Sequence, residues 1–187
     1  MRGVASAGQL RWSLARTALV LIPLILLLGT LSARAAGSTE ANPWFMALIK
    51  PDIYPPSAVF GIVWPILYVM LGLALALVWN ARGARLRGLA LTLFAVQLVA
   101  NLAWSPLFFR YQRIEEAVWL IVTMFILALL TAACFATVRR MAGALLLPYL
   151  AWLAFAGLLN WRIHELNPDG GPTVSIARIS LALPQQE

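Results

Sequence analysis

The residues able to do chemistry in this sequence are amides and aromatic rings set at helical intervals in apolar surroundings. At 100° per residue, Gln97, Asn101, Trp104 and Phe108 fall on one helical face within a sector of about 60°. The same arithmetic groups Phe60, Trp64 and Tyr68, and again Tyr149, Trp152, Ala156 and Asn160. Three such stripes would offer ring faces to a flat hydrophobic ligand, with each aromatic pair worth about 0.5 to 1.5 kcal/mol beyond area burial. Asn101 or Gln97 would serve the ligand's polar edge. The indoles of Trp64 and Trp152 are also oxidisable, so if a catalytic pair exists, it is these two.

Ordinary catalysis has little to work with. The single histidine, His164, and the single cysteine, Cys134, cannot form a metal cluster between them, and no G-x-S-x-G elbow accompanies the histidine. No metal and no resident cofactor is expected. A packing reading stands beside the pocket reading. Aromatic stripes also fill bundle interiors, buried amides glue helices, and Gly72, Ala76, Ala128, Ala132 and Ala136 suit close helix contact.

Both readings require elements that bury these faces, and composition says what they are. Hydrophobic residues make up 62% of the chain and charged residues 11%, a balance that excludes a water-soluble globule and intrinsic disorder. Mean hydropathy is +0.84. Blocks free of Asp, Glu, Lys, Arg and His run over Ala58–Trp79, Gly88–Phe109, Ala117–Val138 and Met141–Trp161, each 21 or 22 residues long. About 20 residues of helix cross the hydrocarbon of a bilayer. The polar and apolar alternation of a membrane barrel is missing. A shorter block, Thr17–Leu31, follows Arg11 and Arg16 and precedes Ala33-Arg34-Ala35, in the manner of a cleavable signal peptide. Snorkelling by Arg16 and extension through Ser32–Ala36 would instead keep it as a span.

The expected fold is therefore an all-α integral membrane protein, a five-helix transmembrane bundle. Its helices run over about 13–33, 57–79, 87–109, 116–138 and 141–164 within a domain covering 1–168, followed by a tail at 169–187. The only long connection, 34–56, carries Pro43, Pro51 and Pro55, with Pro56 at its end, and reads as a proline-stiffened lid. Pro65, Pro106 and Pro148 are expected to kink their helices. Eight Lys and Arg residues fall on the side of the N-terminus and six on the other, where all seven acids also lie, so the N-terminus should be cytoplasmic and the C-terminus opposite. The net charge of +7 is dispersed between apolar blocks, and no nucleic-acid partner is expected. The absence of ionisable residues within the four long blocks argues against ion-coupled transport. Counted from the lid side at 1.5 Å per residue, Trp64, Asn101, Trp104 and Trp152 share a depth of roughly 8 to 14 Å.

Three spaced motifs extend this reading. Lys50-Pro51-Asp52-Ile53-Tyr54-Pro55-Pro56, followed by Val59-Phe60-Gly61-Ile62-Val63-Trp64 and Leu67-Tyr68, resembles the signature of the translocator protein family, whose bacterial members are tryptophan-rich sensory proteins. The likeness continues through Asn101-Leu102-Ala103-Trp104-Ser105-Pro106-Leu107-Phe108-Phe109 and through Pro148-Tyr149-Leu150-Ala151-Trp152 to Asn160, ending near Asn167. The resemblance implies five membrane helices with the first retained, a homodimer in the lipid bilayer, and a pocket opening toward the first loop. The ligands it implies are hydrophobic small molecules: porphyrin or haem-type tetrapyrroles, sterols and benzodiazepine-type compounds. Carried onto this chain, it makes Trp64, Tyr68, Asn101, Trp104, Trp152 and Ala156 pocket residues, with Trp44, Phe45 and Pro55 supplied by the loop. This chain departs from the family where Phe45 and Ile53 replace a tyrosine and a tryptophan, and Trp161-Arg162 does not match the sterol motif of animal members.

Overall fold

In lipid, a backbone amide has no water to turn to, so the apolar blocks must satisfy their own hydrogen bonds as helices. In the computed structural model, which describes residues 7–38 and 42–171, they do so. Helix α1 covers Ala7–Ala35, the short α2 Pro43–Ala47, α3 Ser57–Trp79 and α4 Arg87–Ser105, the last continued by one π-helical turn over Pro106–Arg110. Helix α5 covers Ile114–Val138, and the fifth crossing is made by α6, Arg140–Ala144, and α7, Leu147–Leu166. Five segments are long and apolar enough to cross a membrane. No strand occurs among the described residues. The chain is thus an all-α, multi-pass integral membrane protein, as its hydropathy requires. Leu19, Ile62, Val99, Ile126 and Leu158 lie exposed along the long helices, an apolar surface that lipid solvates and water would not.

Several boundaries differ from the sequence expectation for physical reasons. Helix α1 begins at least six residues earlier than residue 13, carrying Trp12, Arg11 and Arg16 inside a helix of 29 residues, roughly 43 Å long. The third crossing does not stay α-helical to residue 109, because Pro106 has no N–H to give the Leu102 carbonyl and the chain widens into the π turn. The fifth crossing is interrupted at Leu145–Leu146. Pro148 therefore stands in the first turn of α7, where a missing N–H costs nothing, and does not kink a continuous helix. The connection over 34–56 is not all loop. Asn42 caps α2 by accepting from the Phe45 N–H at 3.2 Å, with Pro43 in its first turn. Of the tail, Asp169 to Gly171 are described; the alternating residues Val174, Ile176 and Ile179 lie outside the described residues.

Helix α5 is central, packed on α4 along one side and on α7 along another, while α1 lies along α3. The α1–α3 contact depends on Gly72. A Cβ there would stand 2.7 Å from Ile22 Cγ1 and 2.9 Å from Ile22 Cα, and the second of these is backbone that cannot swing aside. The core below the lid side centres on Leu71, Ala74, Phe94, Phe135 and Met124, all almost fully buried, with Phe94 stacked on Phe135 at 5.7 Å. Gly72→Ala should push α1 from α3 and destabilise the detergent-solubilised protein by about 1 to 3 kcal/mol. Gly88→Ala, on the open face of α4 with nothing within 4 Å, should leave the melting temperature equal or slightly higher. Thermal unfolding followed by circular dichroism compares the two.

Candidate functional site

The three aromatic stripes meet around a cavity of about 450 Å³ beneath the lid. From α3 it is lined by Phe60, Trp64 and Tyr68, from α4 and its π turn by Asn101, Trp104, Phe108 and Phe109, and from α7 by Trp152, Ala156 and Asn160. Helix α1 supplies Gly29, Thr30 and Arg34, and the lid closes the space with Phe45 and Tyr54. The rings support one another. Trp104 stacks on Phe108 at 5.0 Å, Tyr54 on Phe60 at 5.4 Å, and Phe60 meets Trp152 edge-on at 5.6 Å. Rings braced in this way hold an open volume that flexible aliphatic chains would collapse to fill.

Beneath the rings, polar groups are paired in a chain. Tyr68 donates to Asn101 Oδ1 at 3.1 Å, Asn101 Nδ2 donates to the Tyr149 hydroxyl at 2.9 Å, and Tyr149 donates to Gln97 Oε1 at 3.1 Å. This chain joins α3, α4 and α7 at the cavity floor. A second set fixes Trp104: its Nε1 donates to Asn160 Oδ1 at 3.2 Å and to the Ala117 carbonyl at 3.1 Å, while Asn160 Nδ2 reaches the Ile114 carbonyl at 3.2 Å. The Gln97 Nε2 at the end of the first chain and the Trp152 Nε1, in contrast, are buried with no acceptor among the described residues.

The π turn also recruits α1. Ser32 Oγ donates at 2.5 Å to the Leu102 carbonyl that Pro106 leaves without its helical partner. Within the π turn itself, Phe108 and Phe109 both line the cavity. Close by, Tyr68 lies flat against Gly29, where a Cβ would come within 2.2 Å of the ring.

The lid is latched at several points. Asn167, buried at the end of α7, accepts from the Ile49 N–H at 3.0 Å and donates back to the Ile49 carbonyl at 2.9 Å. Trp44 Nε1 donates to the Gly170 carbonyl at 3.1 Å, and Lys50 Nζ donates to the Phe45 carbonyl at 2.9 Å while lying 4.6 Å from the Phe45 ring centre. Partial burial holds the Lys50 ammonium below its ordinary pKa. The Tyr54 phenol is pushed up to about 12 by burial, so it stays neutral throughout the physiological range.

Of the twelve residues expected in the pocket, nine line the cavity: Phe45, Trp64, Tyr68, Asn101, Trp104, Phe108, Trp152, Ala156 and Asn160. Three do not. Gln97 lies one turn below Asn101, where Tyr149 closes the bundle over it and leaves it fully buried. Trp44 occupies the rear of α2, edge-on to Phe108 at 5.5 Å. Pro55 belongs to the extended run after the Pro51–Tyr54 turn, a turn that aims Tyr54 inward instead. Sequence reading missed the whole contribution of α1, because Gly29, Thr30 and Arg34 carry no aromatic signal. It also missed Asn167 as the latch, although the motif match ended there.

With this geometry in view, the comparisons with known proteins are decisive. The model of the TspO/MBR family matches residues 19–166. The chain belongs to the TspO/MBR family. It is 40% identical over 141 residues to the tryptophan-rich protein TspO of Chlorobaculum tepidum, covering 71% of this chain and 87% of that one. To the translocator protein of Bos taurus it is 36% identical over 133 residues, covering 68% and 77%. To the tryptophan-rich sensory protein of Cereibacter sphaeroides it is 34% identical over 128 residues, covering 68% and 79%. The TspO/MBR match starts at residue 19, so it takes in most of α1, which the structure packs into the bundle.

Two outcomes follow for this TspO/MBR-family protein. Asn167→Ala removes both bonds to Ile49, worth about 1 kcal/mol each. Hydrogen exchange of the lid amides over 44–50 should then accelerate roughly 5- to 30-fold while α3 to α7 stay protected. In alkaline titration, the phenolate absorbance lost in Tyr54→Phe should be the component that appears near pH 12 rather than near 10. Because the folded state keeps a proton that the unfolded chain releases above pH 10, Tyr54 makes stability fall as pH rises from 10 to 12.

Proposed function

We propose that this protein is a membrane binding protein for porphyrin-type tetrapyrroles, acting as a sensor, carrier or regulator of their level. The observation that carries the reading is the cavity: about 450 Å³ of space at the lid side, walled by Trp64, Trp104, Phe108 and Trp152. That volume is within the usual range for small-molecule sites, and its walls are mainly apolar with a few placed polar groups. A flat macrocycle would lie between the α3 and α7 indoles. Asn101, with Tyr68 and Tyr149 fixed behind it, would face its polar atoms. The family supports this direction, since its members include translocator proteins and tryptophan-rich sensory proteins.

The reading further places the N-terminus in the cytoplasm and the lid on the opposite side, supported by the bias of Lys and Arg toward the N-terminal side. It includes a homodimer as the working unit, on the family resemblance. A second reading, light-dependent breakdown of the bound porphyrin, is favoured by two oxidisable indoles, Trp64 and Trp152, in one cavity wall system. Protein in lipid nanodiscs titrated with a porphyrin should show saturable Soret shifts and a rise in melting temperature that grows with ligand concentration. Trp64→Phe combined with Trp152→Phe should weaken binding about 3- to 10-fold. A Soret band that bleaches under light in the parent protein and not in the double variant would support the second reading; identical bleaching in both would remove it. Absence of both binding and stabilisation would overturn the first.

A further inference from the structure

Among the described residues, one formally charged side chain lines the cavity, and it is Arg34. It projects from the last turn of α1 at the lid side, and the remaining polar lining is neutral: the hydroxyls of Thr30, Ser38, Tyr54, Ser57, Tyr68 and Ser105 and the amides of Asn101 and Asn160. Among the described residues, no aspartate or glutamate lines the cavity. The two ion pairs among the described residues, Arg113 with Glu116 and Arg162 with Glu165, involve other arginines. Arg34 has no carboxylate partner among the described residues. Lys50, the nearest lid cation in sequence, is already committed to the Phe45 carbonyl and ring.

We propose that Arg34 makes the cavity selective for anionic amphiphiles, ligands with a flat apolar body and a carboxylate or similar oxyanion at one edge. The inference rests on the ligand-binding reading above and specifies its chemistry. The body would occupy the space between Trp64 and Trp152, and the anion would sit at the mouth, where the guanidinium can form two parallel hydrogen bonds to one carboxylate. Placing the charge at the mouth keeps the guanidinium hydrated when the cavity is empty, so no buried ion has to be stabilised. A cationic ligand of the same shape meets like charge there, and a neutral one gains nothing from it. An arginine in the last turn of a helix also complements the negative end of the helix dipole. That structural role alone would change stability without any preference for ligand charge.

The test compares each acid with its own ester. Nanodiscs of uncharged phosphatidylcholine lipid hold the parent protein, Arg34→Lys, Arg34→Gln or Arg34→Glu. Each is titrated with a dicarboxylate porphyrin and its dimethyl ester, and with pyrenebutyric acid and its methyl ester. Comparing the acid-to-ester affinity ratio between variants cancels the unequal partition of acid and ester into lipid. The parent ratio should exceed that of Arg34→Gln by about 3- to 10-fold, with Arg34→Lys between them and Arg34→Glu lowest. Ester affinities should stay level across the series, while melting temperatures fall only slightly toward Arg34→Glu as the favourable charge at the helix end is lost. A ratio unchanged between parent and Arg34→Gln would overturn the proposal. If the pyrene pair alone binds and its ratio follows residue 34, the anion selectivity stands while the porphyrin reading falls. If neither pair binds, both fall.

Discussion

Within a bilayer, a polar group finds its partner inside the protein or goes without, and this constraint shapes every part of the structure described above. It makes the spans helical. It also turns each departure from helical bonding into an attachment between helices. Pro106 leaves the Leu102 carbonyl open, and Ser32 of α1 fills it. Asn101 and Asn160 could not be buried alone, so each is tied on both sides of its amide, and these ties join α3, α4, α5 and α7 around one volume. The cavity exists because the paired amides of Asn101 and Asn160 fix the helices around it and its walls are rings that cannot fold into the remaining space.

The lid follows a different logic. Its prolines limit the conformations open to the chain, which lowers the entropy lost on ordering, but they do not attach it. Attachment comes from Asn167, whose amide pairs with both backbone groups of Ile49, and from Trp44, whose ring backs the π turn while its N–H reaches Gly170. The segment that closes the cavity is therefore held by the far end of the chain. Besides these bonds, buried Trp44, Phe45 and Leu48 pack the lid onto Phe108, Ile114 and Ile163, so the lid is anchored to the lid-side ends of the helices rather than to the core below.

Much of this was legible in the sequence, and the reason is periodicity. Hydropathy gave four crossings and left Thr17–Leu31 open between a signal peptide and a fifth, which the motif resemblance favoured keeping, and the 100° rotation gathered Asn101, Trp104 and Phe108, Trp64 and Tyr68, and Trp152, Ala156 and Asn160 on shared faces. A helix carries its own geometry, so residues one turn apart share a face wherever the helix is placed. The tertiary structure decided what periodicity cannot reach: how deep each face is closed and which neighbour arrives. Gln97 shares the stripe of Asn101 yet is sealed off by Tyr149, a residue 52 positions away. Gly29 and Arg34 enter the cavity wall only because α1 lies against α3, and Asn167 becomes a latch only because α7 ends beside Ile49. Spacing along one helix is a local property fixed by backbone geometry, whereas partners across helices depend on packing, which no single segment encodes.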